Sequence, residues 1–559
     1  MTTRPPRFGA VALDLSIIVA LVALLYLPRL AELTVRGEES RRATIAMEMM
    51  DTNDWIVPRQ QGEPFLSRPP LQNWLIALAT AFRGKCDLVA ARLPSIAALA
   101  GIALVIYFYS RAFATRAAAI AAAVSFIAMP EILQMGRQAE SDMVFAFLLG
   151  SSLLVWHLAW TRGTPRWLAW SLGYAFLALA TLTKGPQAPV TFGLAVGLYL
   201  VATRQVRELF SRSHIVGLSV YSLLFGVWFL PCVARIGWHD TWLLLTADSS
   251  GRFVGWKLVD VLQHLVQYPI ETIGCTATAS LVLVAFLSRQ FRQTLGPARP
   301  HAIFLVFCIA AGFVPCWIPP GGKTRYLMGI YPAVAALSGL AVDRIAQGDL
   351  AGWLRSSLSW GRRLLAVSAL GAAAVVGWLA WGADGIVYDF WKQPGWLALA
   401  FLAVAIVVAW LNWRGQFASG WVCCAQAISL ACLLGLVYGG VIINQLMARQ
   451  SGAEAVMAEV KQILPANSRL VSLDPIHHKF AFLYGRPIEM APWNEPERIP
   501  PGSYFCFNRY AIDHRQIPFA HEELAVLNME RIDCPNQETY VVVARRLETS
   551  GKELQTAQK

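Results

Sequence analysis

The chain repeatedly carries runs of about 20 mainly apolar residues, the length an α-helix needs to cross the hydrocarbon core of a bilayer. Inside lipid no water can satisfy the backbone, so each such run has to be helical throughout. On that rule about thirteen candidates lie near 9–30, 88–110, 114–130, 143–161, 167–184, 187–203, 213–235, 269–288, 301–319, 325–346, 363–383, 394–412 and 418–442. Composition supports this: 56% of the 559 residues are hydrophobic and 15% are charged, too apolar for a water-soluble globule. The expected fold class is an α-helical polytopic membrane protein. The first run follows Arg4 and Arg7 as a secretory signal would, but it is too long and lacks a small-x-small cleavage site. It is therefore read as a retained anchor.

A net charge of +12 would suit a nucleic-acid partner, but membrane proteins gather Lys and Arg in cytoplasmic loops, and no nucleic acid is needed to explain it. With a cytoplasmic N-terminus, the inside loops hold Arg111 and Arg116, Arg162 and Arg166, Arg204, Arg207 and Arg212, Arg289, Arg292 and Arg299, Arg355, Arg362 and Arg363, and Arg414. An odd number of spans then puts the C-terminus outside. Cations remain on that outer side at Arg68, Lys184, Arg252, Lys323, Arg325 and Lys392, against the charge rule, and a bound anion would account for them.

The opening loop, 31–87, is long and densely charged. Glu38 and Glu39 are followed by Arg41, Arg42, Arg59 and Arg68. Residues 40–50 have helical period, with Ile45 and Met49 on one side, and are expected to lie flat on the membrane as an amphipathic helix. Glu38 stands at i,i+3 and i,i+4 to Arg41 and Arg42, the spacing of ordinary intrahelical ion pairs, but the density of the cluster favours a site. Ser141 and Asp142 suit a helix N-cap, and Asp142 is also a second acid on the outer face. Lys184, in Leu182-Thr-Lys-Gly185, has the bland reading of a snorkelling lysine. Grouped with Arg68, Arg252, Lys323 and Arg325, it reads instead as part of a phosphate site.

After Val441 the pattern changes to α/β: a helix near 453–464, a strand 469–473, a second helix near Phe480, and strands near 504–507 and 539–543. The domains are thus 1–443, a membrane domain that includes the opening loop, and 444–559, a small extracytoplasmic α/β domain. The ten cysteines show no metal spacing; Cys506 and Cys534 could pair if the tail is outside.

These residues resemble those of the bacterial aminoarabinose transferases and their relatives the protein O-mannosyltransferases, membrane glycosyltransferases of the GT-C type. Those enzymes have an Asp-Glu pair followed by Thr-Arg-Tyr-Ala-Glu-Ile, then Gly-Asp-Trp-Ile-Val-Pro and Glu-Lys-Pro-Pro. This chain has Glu38-Glu39-Ser-Arg41-Arg42-Ala-Thr-Ile45, Asn53-Asp54-Trp-Ile-Val-Pro58 and Ser67-Arg68-Pro-Pro70. Ser141-Asp142, Leu182-Thr-Lys-Gly185, Arg252-Phe253 and Lys323-Thr-Arg-Tyr-Leu327 extend the likeness across the membrane part. The resemblance implies a GT-C fold in the bacterial inner membrane and inverting transfer of a sugar from a polyprenyl-phosphate donor. The acceptor would be a lipid or other envelope glycoconjugate, lipid A first among them. It places Glu38 where the family has its catalytic acid, with Glu39 and Asp142 as further candidates. Arg41, Arg68 and Lys184 fall at the lipid phosphate, and Arg252 and Tyr326 at the donor cavity, with Lys323 and Arg325 beside them. The family's Asp is Glu38 here, its Tyr is Arg42, its Lys is Arg68 and its Glu is Ser67; these departures bear on the sugar, the acceptor and any divalent metal ion, for which no ligand set is evident. A protein O-mannosyltransferase shares the fold, and a flippase of lipid-linked sugars would also need many spans and a polar cavity.

Overall fold

The computed structural model describes residues 8–32, 35–250, 257–347, 351–382, 395–414, 419–441, 453–465, 468–486, 488–509, 516–529 and 540–548. Arg252, Lys392 and Cys534 lie outside them, and with them the Arg-Phe match and the proposed disulfide. Contacts divide the chain into two compact units. One comprises Met1–Leu30, Leu66–Gln72 and Arg92–Asn444; the other comprises Ala31–Phe65, Asn73–Ala91 and Gln445–Lys559. The opening loop therefore packs largely with the tail, a grouping different from the sequence segments 1–443 and 444–559.

In the first unit the apolar runs are helices, as lipid demands of them. Among the described residues nine are long and apolar enough to span, or ten if the pair Leu258–Cys275 and Ala277–Leu287, bent by 84°, is one broken span. The expected runs near 114–130 and 187–203 form the shorter helices Arg116–Ile127 and Gln187–Ala202. At 1.5 Å per residue the first reaches only about 18 Å, short of a ~30 Å core. Its alanines serve another purpose: Ala117 to Ile127 are all buried, and Gly339 packs so closely on Ala122 that an added Cβ would lie 2.6 Å from that methyl. Small residues at such crossings let helix backbones approach, which in lipid replaces the hydrophobic effect as the source of association. The run at 213–235 continues in the helix Arg212–Ser250, which is broken at Gly237, where φ is 80°.

In the second unit the tail forms a five-stranded sheet. A two-stranded hairpin precedes it, with β1 at Arg59–Gln60 and β2 at Glu63–Pro64. The sheet strands are β3 (Leu470–Leu473), β4 (Glu489–Ala491), β5 (Tyr504–Asn508), β6 (His521–Asn528) and β7 (Tyr540–Arg546), in the order β4-β3-β5-β7-β6. β3 is parallel to β4 and β5, and β7 is antiparallel to β5 and β6. Side chains alternate across the sheet as a pleat requires. Leu470, Cys506, Val541 and Val543 join Met457, Val460 and Phe480 on one face, whereas Val471, Phe505, Phe507, Val542 and Ala544 form a second core on the other.

The helix Glu39–Thr52 corrects one expectation. Ile45 and Met49 are buried in protein, together with Glu39, Arg42, Ala43 and Ala46, and the helix packs on His478–Tyr484 of the tail. A face that buries Glu39 and Arg42 is too polar for lipid tails, and a protein surface with hydrogen-bonding partners suits it better. The hairpin is secured in the same way. Gln61 donates through Nε2 to Ser472 Oγ at 2.8 Å, and its Oε1 accepts from the Ile476 N–H at 2.8 Å.

Candidate active site

The candidate residues form two clusters, one in each unit. In the first unit, Asp142 opens the helix Ser141–Thr161 and Lys184 closes the helix Arg166–Lys184. Their side chains are each 1% exposed and meet at 2.5 Å, Nζ to Oδ1. Asp142 thus does more than begin a helix, and Lys184 does not snorkel. Arg68, also buried, donates to Ser141 Oγ. Arg325 lies 3.7 Å from Glu140 Oε1, and Lys184, Arg68 and Arg325 all act electrostatically on Asp142. Tyr326 is buried with Lys184 Nζ 5.4 Å from its ring centroid and Arg325 at 5.7 Å, distances at which a cation is attracted by the ring face. Its carbonyl accepts from Gln187 Nε2 at 2.8 Å. Lys323 is exposed and stands outside this buried group, although its carbonyl accepts from the Tyr268 hydroxyl at 3.3 Å.

Three cations gathered around acids in a spanning bundle form an expensive arrangement, and membrane proteins keep such groups for function. In this cluster the buried Asp142 Oδ2 acceptor and the buried Arg325 Nε donor have no hydrogen-bond partner among the described residues. Glu131, on the short helix Pro130–Met135, adds a further acid. Burial pushes its carboxyl pKa up, and its Oε2 accepts from Thr324 Oγ1 at 3.3 Å. Glu131 is not among the sequence candidates, because it lies one residue past the expected span 114–130 and belongs to none of the matched motifs.

In the second unit, Glu38 occupies the N-cap position of the helix Glu39–Thr52 without making a side-chain cap. It pairs with Arg41 instead, and the two side chains remain 33% and 26% exposed. Glu39 is fully buried and accepts from the Arg36 N–H at 2.9 Å, closing the turn that presents Glu38. Arg41 and Arg42 both lie over Phe65, at 5.0 and 5.7 Å from the ring centroid. Asp54 accepts from the N–H groups of Ile56 and Val57 and pairs with Arg59, so the Asp-Trp-Ile-Val-Pro match is a turn that shapes the loop.

Sequence reasoning passed over two histidines here. His478 Nδ1 and Ser40 Oγ are hydrogen-bonded at 2.7 Å, and His477 stacks on His478 with centroids 4.6 Å apart. Burial first, then the Arg41 charge, depresses both pKa values, His477 to about 4 and His478 to about 2. The His-His-Lys triplet at 477–479 was the available signal. Among the described residues no three His, Cys, Asp or Glu side chains group as a metal site would require.

The fold is the one seen in GT-C membrane glycosyltransferases, and the sequence resembles the aminoarabinose branch of them. The crystal structure of ArnT from Cupriavidus metallidurans bound to undecaprenyl phosphate superposes with a TM-score of 0.68 at 18% identity, covering 96% of this chain and 98% of that one. The apo ArnT structure gives 0.69 at 19% identity. The family profile described as dolichyl-phosphate-mannose-protein mannosyltransferase matches residues 67–232, which include Arg68, Asp142 and Lys184. The undecaprenyl phosphate-alpha-4-amino-4-deoxy-L-arabinose arabinosyl transferase of Pseudomonas paraeruginosa is 26% identical over 345 residues, 60% of either chain. Its counterpart in Pectobacterium carotovorum is 26% identical over 421 residues, 70% of this chain and 71% of that one. The chain thus spans about 60% of the length of the Pseudomonas relative it matches.

Proposed function

We propose that the protein is an inverting glycosyltransferase of the bacterial inner membrane that moves a sugar from a polyprenyl phosphate to an extracytoplasmic glycoconjugate, with lipid A the leading acceptor. The observation that carries this reading is the buried Asp142–Lys184 pair with Arg68 and Arg325 acting on it. The donor is a phosphodiester; as its bond to the anomeric carbon breaks, the lipid phosphate gains a second negative charge. Fixed cations in a water-poor setting stabilise such a charge where it develops. Asp142 holds Lys184 in place before the donor arrives, and the unspent Arg325 Nε gives the phosphate a donor.

The acceptor attacks the anomeric carbon opposite the departing phosphate, so configuration inverts. For a hydroxyl acceptor, Glu38 takes the proton as the new C–O bond forms; for an acceptor phosphate, already ionised, Glu38 positions it. Its partial exposure suits a group that must meet a second substrate. The Glu38 loop and the tail would face the periplasm, with the N-terminus cytoplasmic. The match of residues 67–232 to a protein mannosyltransferase profile favours a protein hydroxyl as the second acceptor to try.

The test is transfer by purified protein in detergent, where no compartments exist, from undecaprenyl-phosphate aminoarabinose to lipid A, with undecaprenyl-phosphate mannose and peptide hydroxyls as parallel arms. We expect product in the lipid arm. Arg68→Ala should cut donor use strongly and Arg68→Lys only mildly, because the phosphate needs a cation more than a guanidinium fork. Absence of product in every arm, with vesicle-reconstituted protein translocating the lipid-linked sugar, would replace the transferase by a flippase.

A further inference from the structure

The membrane unit carries a second cationic feature, built from none of the residues of the Asp142–Lys184 cluster. Between the end of the broken span and the helix Arg299–Trp317 lies a cavity of about 790 Å³, bordered by Arg289, Arg292 and Arg299 with no acidic side chain in its lining. Its other wall is apolar and includes Phe286, Ile303 and Val306. All three arginines are exposed. Arg292 donates to the carbonyls of Phe286 and Leu287, at 2.8 and 3.3 Å, and so holds the turn. The helical turn Gly296–Ala298 leads straight into the helix Arg299–Trp317, and neither brings an acid in its first turn to the cavity.

We propose that this cavity binds an anionic phospholipid of the cytoplasmic leaflet, its phosphate between Arg289 and Arg299 and one acyl chain along Ile303 and Val306. A basic loop that only fixed orientation would need arginines but no concavity. Here the charges ring a hollow whose apolar wall runs along a spanning helix, on which Val306 and Val314 are 48% and 43% exposed. Basic pockets between spanning helices recognise lipid headgroups in this way. The acyl wall is what distinguishes a lipid from a free phosphate, which would occupy the arginines alone. On the orientation set by the basic loops, the site lies on the leaflet opposite the transfer reaction.

The experiment uses the full-length protein in nanodiscs of phosphatidylcholine doped with phosphatidylglycerol, reading thermal melting and lipid retained on native mass spectrometry. The variant is Arg289→Gln with Arg299→Gln, leaving Arg292 to hold its carbonyls. Arg204→Gln with Arg207→Gln, in another basic loop, removes equal charge elsewhere. Wild type and the Arg204/Arg207 control should melt higher as phosphatidylglycerol increases and should retain it. The Arg289/Arg299 variant should bind it about 25-fold more weakly, about fivefold for each arginine. Inorganic phosphate at matched concentration should not reproduce the shift. Equal retention by both variants, or an equal shift with inorganic phosphate, would overturn the proposal.

Discussion

Each unit contains an acid–base pair, and the two are built to opposite specifications. Asp142 and Lys184 are 1% exposed and locked by their surroundings, whereas Glu38 and Arg41 remain 33% and 26% exposed at the start of a helix. A buried pair is costly to break, because the survivor is left charged and desolvated. An exposed pair contributes only about 0–1 kcal/mol and can be remade around a substrate. The buried pair suits a fixed electrostatic frame, and the exposed one suits a group that must exchange partners during turnover.

The most forceful way to break the comparison is Lys184→Ala. Leaving Asp142 unpaired should cost about 3–5 kcal/mol, read as a large drop in the melting temperature of detergent-purified protein along with lost transfer. Replacing both partners, Asp142→Leu with Lys184→Met, should recover much of the stability but none of the activity. If the double variant transfers sugar normally, the pair is only structural.

Glu38→Gln should show the opposite pattern. Turnover should fall ~10²–10⁴-fold, the usual worth of a general base, with melting almost unchanged because only an exposed pair is lost. Near-normal initial rates would hand the role to another acid. Glu39 is the weaker candidate, being fully buried and accepting from the Arg36 N–H.

The smallest effect sharpens the contrast through pH. His477 and His478 are held neutral in the folded second unit, with pKa values depressed to about 4 and about 2, while the unfolded chain binds protons near 6.5. A depressed pKa gives stability that is present above 6.5 and lost as pH falls, at up to about 1.4 kcal/mol per pH unit for each histidine. Hydrogen exchange at pH 7 and pH 5 should therefore show the helix Glu39–Thr52 opening at the lower pH. Parallel behaviour of His478→Asn and wild type would remove His478 as the cause.

Much of this was legible in advance because it is periodic or local. Spans announce themselves by length, and Arg469 to Leu473 and Thr539 to Val543 read as strands because both cores of the sheet demand apolar residues. β6 escaped because it is an edge strand, His-Glu-Glu at its start, with one side of the pleat free to be polar. The short buried helix Arg116–Ile127 was read as a span because alanines inside protein and alanines in lipid look alike in sequence. Lys184 and Asp142 were each recognised from a motif, but their pairing was not. Nothing local links Lys184 to Asp142, 42 positions earlier, and only the bundle brings them together. The partner of Ser40 lay further still, in a histidine 438 positions away.

That last separation bears on how the protein is made. The helix Glu39–Thr52 packs on the tail helix His478–Tyr484, and the histidine that bonds Ser40 leaves the ribosome some 438 residues after it. At about 5–20 residues per second, this leaves roughly 20 to 90 seconds during which the helix has been synthesised and its cover has not. For that interval its half-charged, half-apolar face must be shielded by something other than its final partner, and the loop can reach its working form only after the last strands of the sheet have emerged.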